Sequence, residues 1–233
     1  MALSNDIVED ARATFQSQWE TRNGIVVPDP EDVGLGNDAV RFERATVLYA
    51  DLDQSTNLVD TKKWWFAAEV YKTFLYAASK IVRAEGGDIV SYDGDRVMGI
   101  FIGKTQCNDA ARCALKINYA VKKLIQPELD EKYGQGDYTM RHVVGIDTSP
   151  IRAARTGVRG DNDLVWVGRA ANYAAKLTAM SAAYPTWITK AVFDKLNDNQ
   201  KNGGTPKRSM WESRLWTSMD NASIYRSSWH WEI

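Results

Sequence analysis

Two aspartates stand where a carboxylate can hold a metal ion against phosphate groups. Asp51 ends the apolar run 45–50, and a polar turn with Ser55 and Thr56 follows before a helical segment. Backbone N–H groups at such a strand-to-helix turn can bind phosphate oxygens. Asp95 follows an Asp-Gly pair between two apolar segments, which is a strong hairpin signal. Each aspartate alone is equally typical of an ordinary turn.

Considered together, Asp51 and Asp95 predict a metal site. Two strands side by side would bring both carboxylates to one edge of a sheet, where they repel each other unless a cation lies between them. Mg²⁺ and Mn²⁺ prefer oxygen ligands, and a pair of such ions suits the attack of a hydroxyl group on a phosphoryl group. We therefore expect two ions per site, either Mn²⁺ or Mg²⁺, bound by these aspartates.

A third polar pair lies on a predicted helix. Asn172 and Lys176 are four residues apart, so that they share one helix face. The alanines around them permit another element to approach closely. By itself, this pattern favours an ordinary packed helix with a solvated polar face.

The elements that would position these residues alternate around one sheet, which is an α+β pattern. Residue spacing predicts helices at 6–18, 61–85, 108–125 and 168–181 and strands at 44–51, 88–92, 96–101 and 164–167. A further hairpin is expected from 140–146 and 151–158, with its turn at Ser149-Pro150. Residues 1–40 are expected to form an N-terminal helix and arm, and residues 41–233 one domain.

Composition restricts the partners. The 233 residues carry a net charge of −1, with 44% apolar and 25% charged residues, as in an ordinary globular protein. No overall basic field favours nucleic acid or an anionic membrane, and no segment approaches the roughly 20 apolar residues of a membrane span. Residues 1–20 are polar and lack the apolar run of a secretory signal. We therefore expect a cytoplasmic protein with neither a nucleic-acid nor a membrane partner.

All three motifs, in this order, resemble the class III adenylate and guanylate cyclases over about residues 40–190. The resemblance implies that Asp51 and Asp95 bind the metal ions and that Asn172 orients the ribose. Lys176 stands where that family usually has an arginine that stabilises the transition state, so the charge is kept but the forked geometry is lost. The implied fold is an α+β catalytic domain with a ferredoxin-like core sheet and flanking helices, assembled as a head-to-tail homodimer.

The positions that read the base in this family are changed. Ser91 lies where adenylate cyclases have lysine and guanylate cyclases have glutamate, and Val165 lies at the second base-reading position. Neither side chain reproduces the hydrogen bonds that select a purine, so the resemblance implies a different base. Tyr49 shares a strand face with Asp51, and it either borders the base pocket or packs in the core.

A narrower resemblance extends over nearly the whole chain. Residues 27–40, 49–56 and 92–98 are similar to the stand-alone pyrimidine cyclases of bacterial Pycsar anti-phage systems. This resemblance implies that the enzyme converts UTP to 3′,5′-cyclic UMP, which activates a separate effector. Uracil is preferred to cytosine on resemblance alone, and a cytidylate cyclase that makes cyclic CMP stays open. A catalytically silent cyclase-fold nucleotide sensor is the other alternative, although both metal carboxylates and Asn172 are retained.

Overall fold

The structure is a computed structural model that describes residues 2–233. Its α-helices are α1 (Leu3–Gln16), α2 (Ser55–Thr61), α3 (Trp64–Ala84), α4 (Gln106–Tyr119), α5 (Gln126–Tyr133), α6 (Arg169–Leu177), α7 (Lys190–Phe193) and α8 (Asp198–Lys201). Its strands are β1 (Glu20–Asn23), β2 (Asp38–Leu52), β3 (Asp88–Asp93), β4 (Arg96–Phe101), β5 (His142–Val158), β6 (Asp161–Val167), β7 (Thr186–Thr189), β8 (Asn202–Gly203), β9 (Arg208–Ser209), β10 (Glu212–Trp216) and β11 (Ala222–Ser227). A 3₁₀ turn (Pro30–Asp32) precedes β2, and a π-helical segment (Ala120–Ile125) joins α4 to α5.

One mixed sheet contains nine of these strands and has β2 and β5 at its centre. The strand order is β10-β11-β7-β5-β2-β4-β3, while β1 pairs with the start of β2 and β6 pairs with β5. β2 is antiparallel to both β4 and β5, so the end that carries Asp51 is held on both sides. The apolar run 45–50 explains this central position, because a strand covered on both faces needs apolar side chains on both.

The helices α3 and α4 cover one face of the sheet. Phe74 and Val82 of α3 and Leu115 of α4 are fully buried in one cluster with Leu48 and Val97 of the sheet. Apolar residues recur at helical spacing along α3, which explains why it forms one long amphipathic helix. The helices α3 and α4 therefore hold β2 and β4 in place from the face that carries Leu48 and Val97.

The opposite face is covered by the short helix α6. Ala170 and Ala174 of α6 pack in a second cluster with Val47 and Met98. The approach is close, because a Cβ atom added to Gly145 of β5 would lie 2.2 Å from the carbonyl oxygen of Ala174. The small residues of α6 thus allow the helix to lie directly on the sheet.

The α+β fold is confirmed. The helix expected at 61–85 is confirmed as α3, although it begins at Trp64, because Lys62 and Lys63 are extended and the Lys62 ammonium pairs with Asp137 at 2.9 Å. One local expectation is wrong. The hairpin expected at Ser149-Pro150 is one continuous strand, β5. Pro150 fits there since it lies opposite a β-bulge of β2, where the ladder needs no N–H donor.

The N-terminal helix α1 lies outside both packed layers. It buries no side chain. The Asn37 amide fixes its end by donating hydrogen bonds to the carbonyl oxygens of Thr14 and Ser17, both at 2.8 Å. The division expected at residue 40 falls within β2, which begins at Asp38. Among residues 2–233, no helix is both long and apolar enough to cross a membrane.

Candidate active site

The end of β2 and the β3–β4 turn meet at one edge of the sheet. Asp51 lies opposite Arg96 in the β2–β4 ladder, and Asp95 directly precedes Arg96. Gly94 adopts a left-handed conformation (φ +62°) that a tight two-residue turn requires. The structure therefore brings together the two aspartates that the sequence singles out.

Electrostatics at this edge favour a cation. Burial and, to a smaller extent, the negative charge of Asp95 raise the pKa of Asp51 to about 6, although the Arg96 guanidinium and the Thr178 hydroxyl oppose the shift. Arg96 does not neutralise the pair by itself, since it bonds Asp93 at 2.6 Å. The protein therefore supplies too little positive charge to balance the two neighbouring carboxylates.

The residues present fit a divalent metal ion that is shared with a phosphate ligand. The Asp95 Oδ2 atom is buried and has no hydrogen-bond partner among residues 2–233. Within the same range, no three His, Cys, Asp or Glu side chains converge on a common metal position. One or two carboxylates with substrate phosphates are the usual ligands of Mg²⁺, whereas a self-sufficient protein cage needs more ligands.

The turn that the sequence predicts to bind phosphate follows directly after β2. Gln54 adopts a left-handed conformation (φ +60°), and α2 begins at the next residue, Ser55. The Ser55 side chain is half-buried, and the Thr56 side chain is exposed. Asp53 is held by Arg141, through its backbone N–H (2.9 Å to the Arg141 carbonyl) and through its carboxylate (2.7 Å to the guanidinium). Asp53 therefore stabilises the turn, whereas the Asp51 carboxylate lies at the site.

Tyr49 and Ser91 lie in one row beside Asp51 and Asp95. Tyr49 is opposite Met98 in the β2–β4 ladder, and Ser91 is opposite Met98 on its other side. The Arg96 guanidinium lies 5.4 Å from the centre of the Tyr49 ring. Because cross-strand partners share a face, this row and Asp51 point to the same side of the sheet. Sequence reasoning did not assign Arg96 to this face, since only the strand register reveals it.

Asn172 and Lys176 lie on the outer surface of α6. Both side chains are exposed, on the side opposite the buried alanines. The Lys176 Nζ atom lies 3.6 Å from the Met219 sulfur. Val165 of β6 is also exposed, at 43%. These three side chains therefore face away from the core of their own chain.

Comparisons with known proteins identify the fold and the family of the chain. No protein-family profile matches the chain. The chain is 53% identical to the uridylate cyclase of Burkholderia cepacia and 48% identical to that of Xanthomonas perforans, in each case over 100% of both chains. Its structure resembles the adenylyl cyclase CyaB from P. aeruginosa (TM-score 0.63, 21% identity, covering 81% of this chain and 95% of that one). It also resembles the guanylyl cyclase Cya2 (TM-score 0.67, 16% identity, covering 82% and 94%).

The fold is that of the catalytic domains of adenylyl and guanylyl cyclases. The relatives that are 53% and 48% identical over their whole lengths show that the chain is a nucleotide cyclase. Its identity with the Burkholderia and Xanthomonas proteins over their whole lengths is more specific still, and the chain belongs to the uridylate cyclase family.

Proposed function

We propose that this enzyme converts UTP to 3′,5′-cyclic UMP and pyrophosphate. The observation that carries the proposal is the pair Asp51 and Asp95, half-buried and short of positive charge, beside a turn that can bind phosphates. The names of the full-length relatives support uridine as the nucleoside.

In this reaction the ribose 3′-oxygen bonds to the α-phosphorus while the bond from that phosphorus to the bridging oxygen breaks. The 3′-hydroxyl proton passes to solvent, and pyrophosphate leaves. Asp51 and Asp95 would hold two Mn²⁺ or Mg²⁺ ions, which when bound supply charge neutralisation and acidify the hydroxyl. Free N–H groups near Ser55 and Thr56 hold the β- and γ-phosphates, and the Arg141–Asp53 contacts keep that turn in place.

The remaining groups come from a second subunit in this proposal. Asn172 and Lys176 project outwards from α6, where they cannot be satisfied by their own core. In a two-fold, head-to-tail homodimer, the same surface occurs twice and two equivalent sites form. Asn172 then orients the ribose, and Lys176 donates to the phosphoryl oxygens as negative charge develops there.

The base pocket excludes purines by chemistry and by size. Ser91 offers a single hydroxyl and Val165 offers no polar atom, so the charged contacts that select adenine or guanine are missing. Tyr49, with the Arg96 guanidinium over its ring, adds bulk on the same face as Asp51. A site without a required hydrogen-bond partner discriminates against the ligand that needs it. Cyclic CMP remains the alternative product, since these groups also suit cytosine.

A role in anti-phage defence follows from the resemblance to Pycsar cyclases. Cyclic UMP would act as a second messenger that activates a separate effector protein.

The test is a competition among all four nucleoside triphosphates at equal concentration with Mn²⁺, with the products separated by mass. Cyclic UMP should dominate, cyclic CMP should be a distant second, and purine products should stay near background. Asp95→Ala, purified in the same way, is the control that identifies contaminating activity. Dominant cyclic AMP or cyclic GMP contradicts the pyrimidine assignment, and dominant cyclic CMP contradicts the choice of uracil.

A further inference from the structure

The N-terminal segment exposes an unusual amount of apolar surface. Seven large apolar side chains between residues 3 and 26 are largely solvent-exposed, and we call them the arm surface: Leu3, Ile7, Val8, Phe15, Trp19, Ile25 and Val26. Phe15 is 87% exposed and Ile25 is 89% exposed. Scattered apolar residues are normal on proteins, but a concentration of this kind marks an interaction surface.

The α1 part of the arm surface is a continuous stripe. At 100° per residue, Leu3, Ile7, Phe15 and Val8 fall within one arc of about 140°, and the charged residues fall outside it. None of the fourteen residues of α1 is buried. A helix of this length is marginal in water by itself, because packing of its apolar face normally stabilises it. The stripe therefore predicts a partner surface.

The charge of α1 argues against a lipid partner. Its polar side carries Asp6, Glu9 and Asp10 with a single basic residue, Arg12. Helices that lie on anionic membranes carry lysine and arginine on the polar side, because acidic residues are repelled by the headgroups. A protein surface is the occupant that this charge pattern allows.

The arm surface continues into the region that the proposed dimer covers. Trp19 and Val167 line one groove of about 280 Å³, which crosses the start of the sheet. Val165, two residues from Val167 on β6, shares its strand face and is exposed like it (43% and 55%). Val165 is also a residue of the proposed base pocket, which needs groups from both subunits. The arm and the shared site thus border one another.

We propose that the arm surface packs against a second copy of this chain and forms part of the dimer interface beside the nucleotide site. This inference rests on the proposed function, which requires two subunits for each site. A stable dimer needs about 800 Å² from each partner, more than the stripe of one short helix supplies. The arm therefore extends an interface that also includes the outer surfaces of α6 and β6.

The test compares two double variants of α1 by sedimentation over a range of protein concentrations. Ile7→Asp/Phe15→Asp introduces two aspartates into the apolar stripe. Ala13→Asp/Gln16→Asp introduces the same two charges on the exposed polar side and is the matched control. Removal of residues 2–16 is a third variant, in which α1 cannot misfold because it is absent. Thermal unfolding of each protein checks that the core is intact, since α1 buries nothing in it.

The dimer dissociation constant should rise at least about 100-fold in Ile7→Asp/Phe15→Asp, because each lost apolar contact contributes roughly tenfold or more. The control should stay within about threefold of the unmodified protein. Activity per subunit should fall at low protein concentration and recover as the concentration exceeds the new dissociation constant. That recovery separates loss of the dimer from damage to the site.

An unchanged dissociation constant in both Ile7→Asp/Phe15→Asp and the deletion variant would overturn the inference and leave the proposed function intact. Retention of the dimer together with binding of the unmodified protein to vesicles would also overturn it, in favour of a lipid partner. If the unmodified protein forms dimers but makes no cyclic nucleotide, the proposed function fails while the role of the arm surface stands.

Discussion

Asp51→Asn should make the metal-free protein more stable at neutral pH, although it inactivates the enzyme. Burial and the charge of Asp95 hold the pKa of Asp51 at about 6 instead of 3.8. A difference of that size corresponds to about 3 kcal/mol that ionised Asp51 costs the folded state. Asparagine keeps the shape of the side chain without the charge. Allowing for solvent screening of this half-buried group and for imperfect hydrogen bonding of the amide, we expect a gain of about 2 kcal/mol.

The pH dependence of this gain has a definite sign. Because folding raises the pKa of Asp51, proton binding favours the folded state. The stabilising contribution of the protonated carboxyl is fully present below pH 3.8 and is lost as the pH rises through about 6. The advantage of Asp51→Asn should therefore be largest at about pH 8 and should vanish near pH 4.

The assay is thermal and urea unfolding of both proteins in EDTA, at several pH values between these limits. A gain of about 2 kcal/mol raises the melting temperature by about 4–8 °C in a chain of this size. Asp53→Asn is the matched control, since Arg141 lies 2.7 Å from that carboxylate. Loss of this ion pair should leave stability unchanged or slightly reduced. If Asp51→Asn is less stable than the unmodified protein at pH 8, our electrostatic account of the site is wrong.

Three further predictions concern assembly, packing and the base. Mixing inactive Asp51→Ala with inactive Lys176→Ala should restore about one quarter of normal activity, because half of the dimers then contain one intact site; no recovery after free subunit exchange would exclude a shared site. Gly145→Ala should cost about 1–3 kcal/mol in urea unfolding and reduce activity, since its Cβ would lie 2.2 Å from a carbonyl oxygen of α6, whereas Gly36→Ala has open space and should be neutral. Tyr49→Ala should increase cyclic AMP and cyclic GMP relative to cyclic UMP in the competition assay; an unchanged product ratio would exclude Tyr49 from base selection.

The positions of Asp51 and Asp95 at one edge of the sheet were predictable, because the sequence signals for them are local. An apolar run that ends in Asp51 predicts a buried strand, and the Asp-Gly pair before Asp95 predicts a tight turn. The structure confirms the strand and the turn, and it brings the two aspartates to one edge. Their roles as metal ligands, like those of Asn172 and Lys176, stay predictions for mutagenesis.

The errors arose where tertiary pairing overrides a local signal. The Ser149-Pro150 pair predicts a turn, but β5 continues through both residues. The bulge at Phe42–Ala45 on the neighbouring strand accommodates the missing backbone N–H of Pro150. The position of Arg96 on the same face as Tyr49 depends on register between strands far apart in sequence. Propensity and periodicity contain no information about either pairing.

The central pairing of β2 with β5 sets the order in which a newly synthesised chain can mature. This ladder joins Leu52 to His142 and Ala39 to Ala154. The strand that carries Asp51 therefore cannot complete its pairing until residues about one hundred positions downstream have been synthesised. β4 can pair earlier, which leaves the other edge of β2 apolar and open in the nascent chain. Such non-local closure is slow and exposes intermediates to aggregation. Catalysis should therefore be absent from ribosome-bound chains that end before β5, and chaperone demand should peak while residues 102–154 are being made.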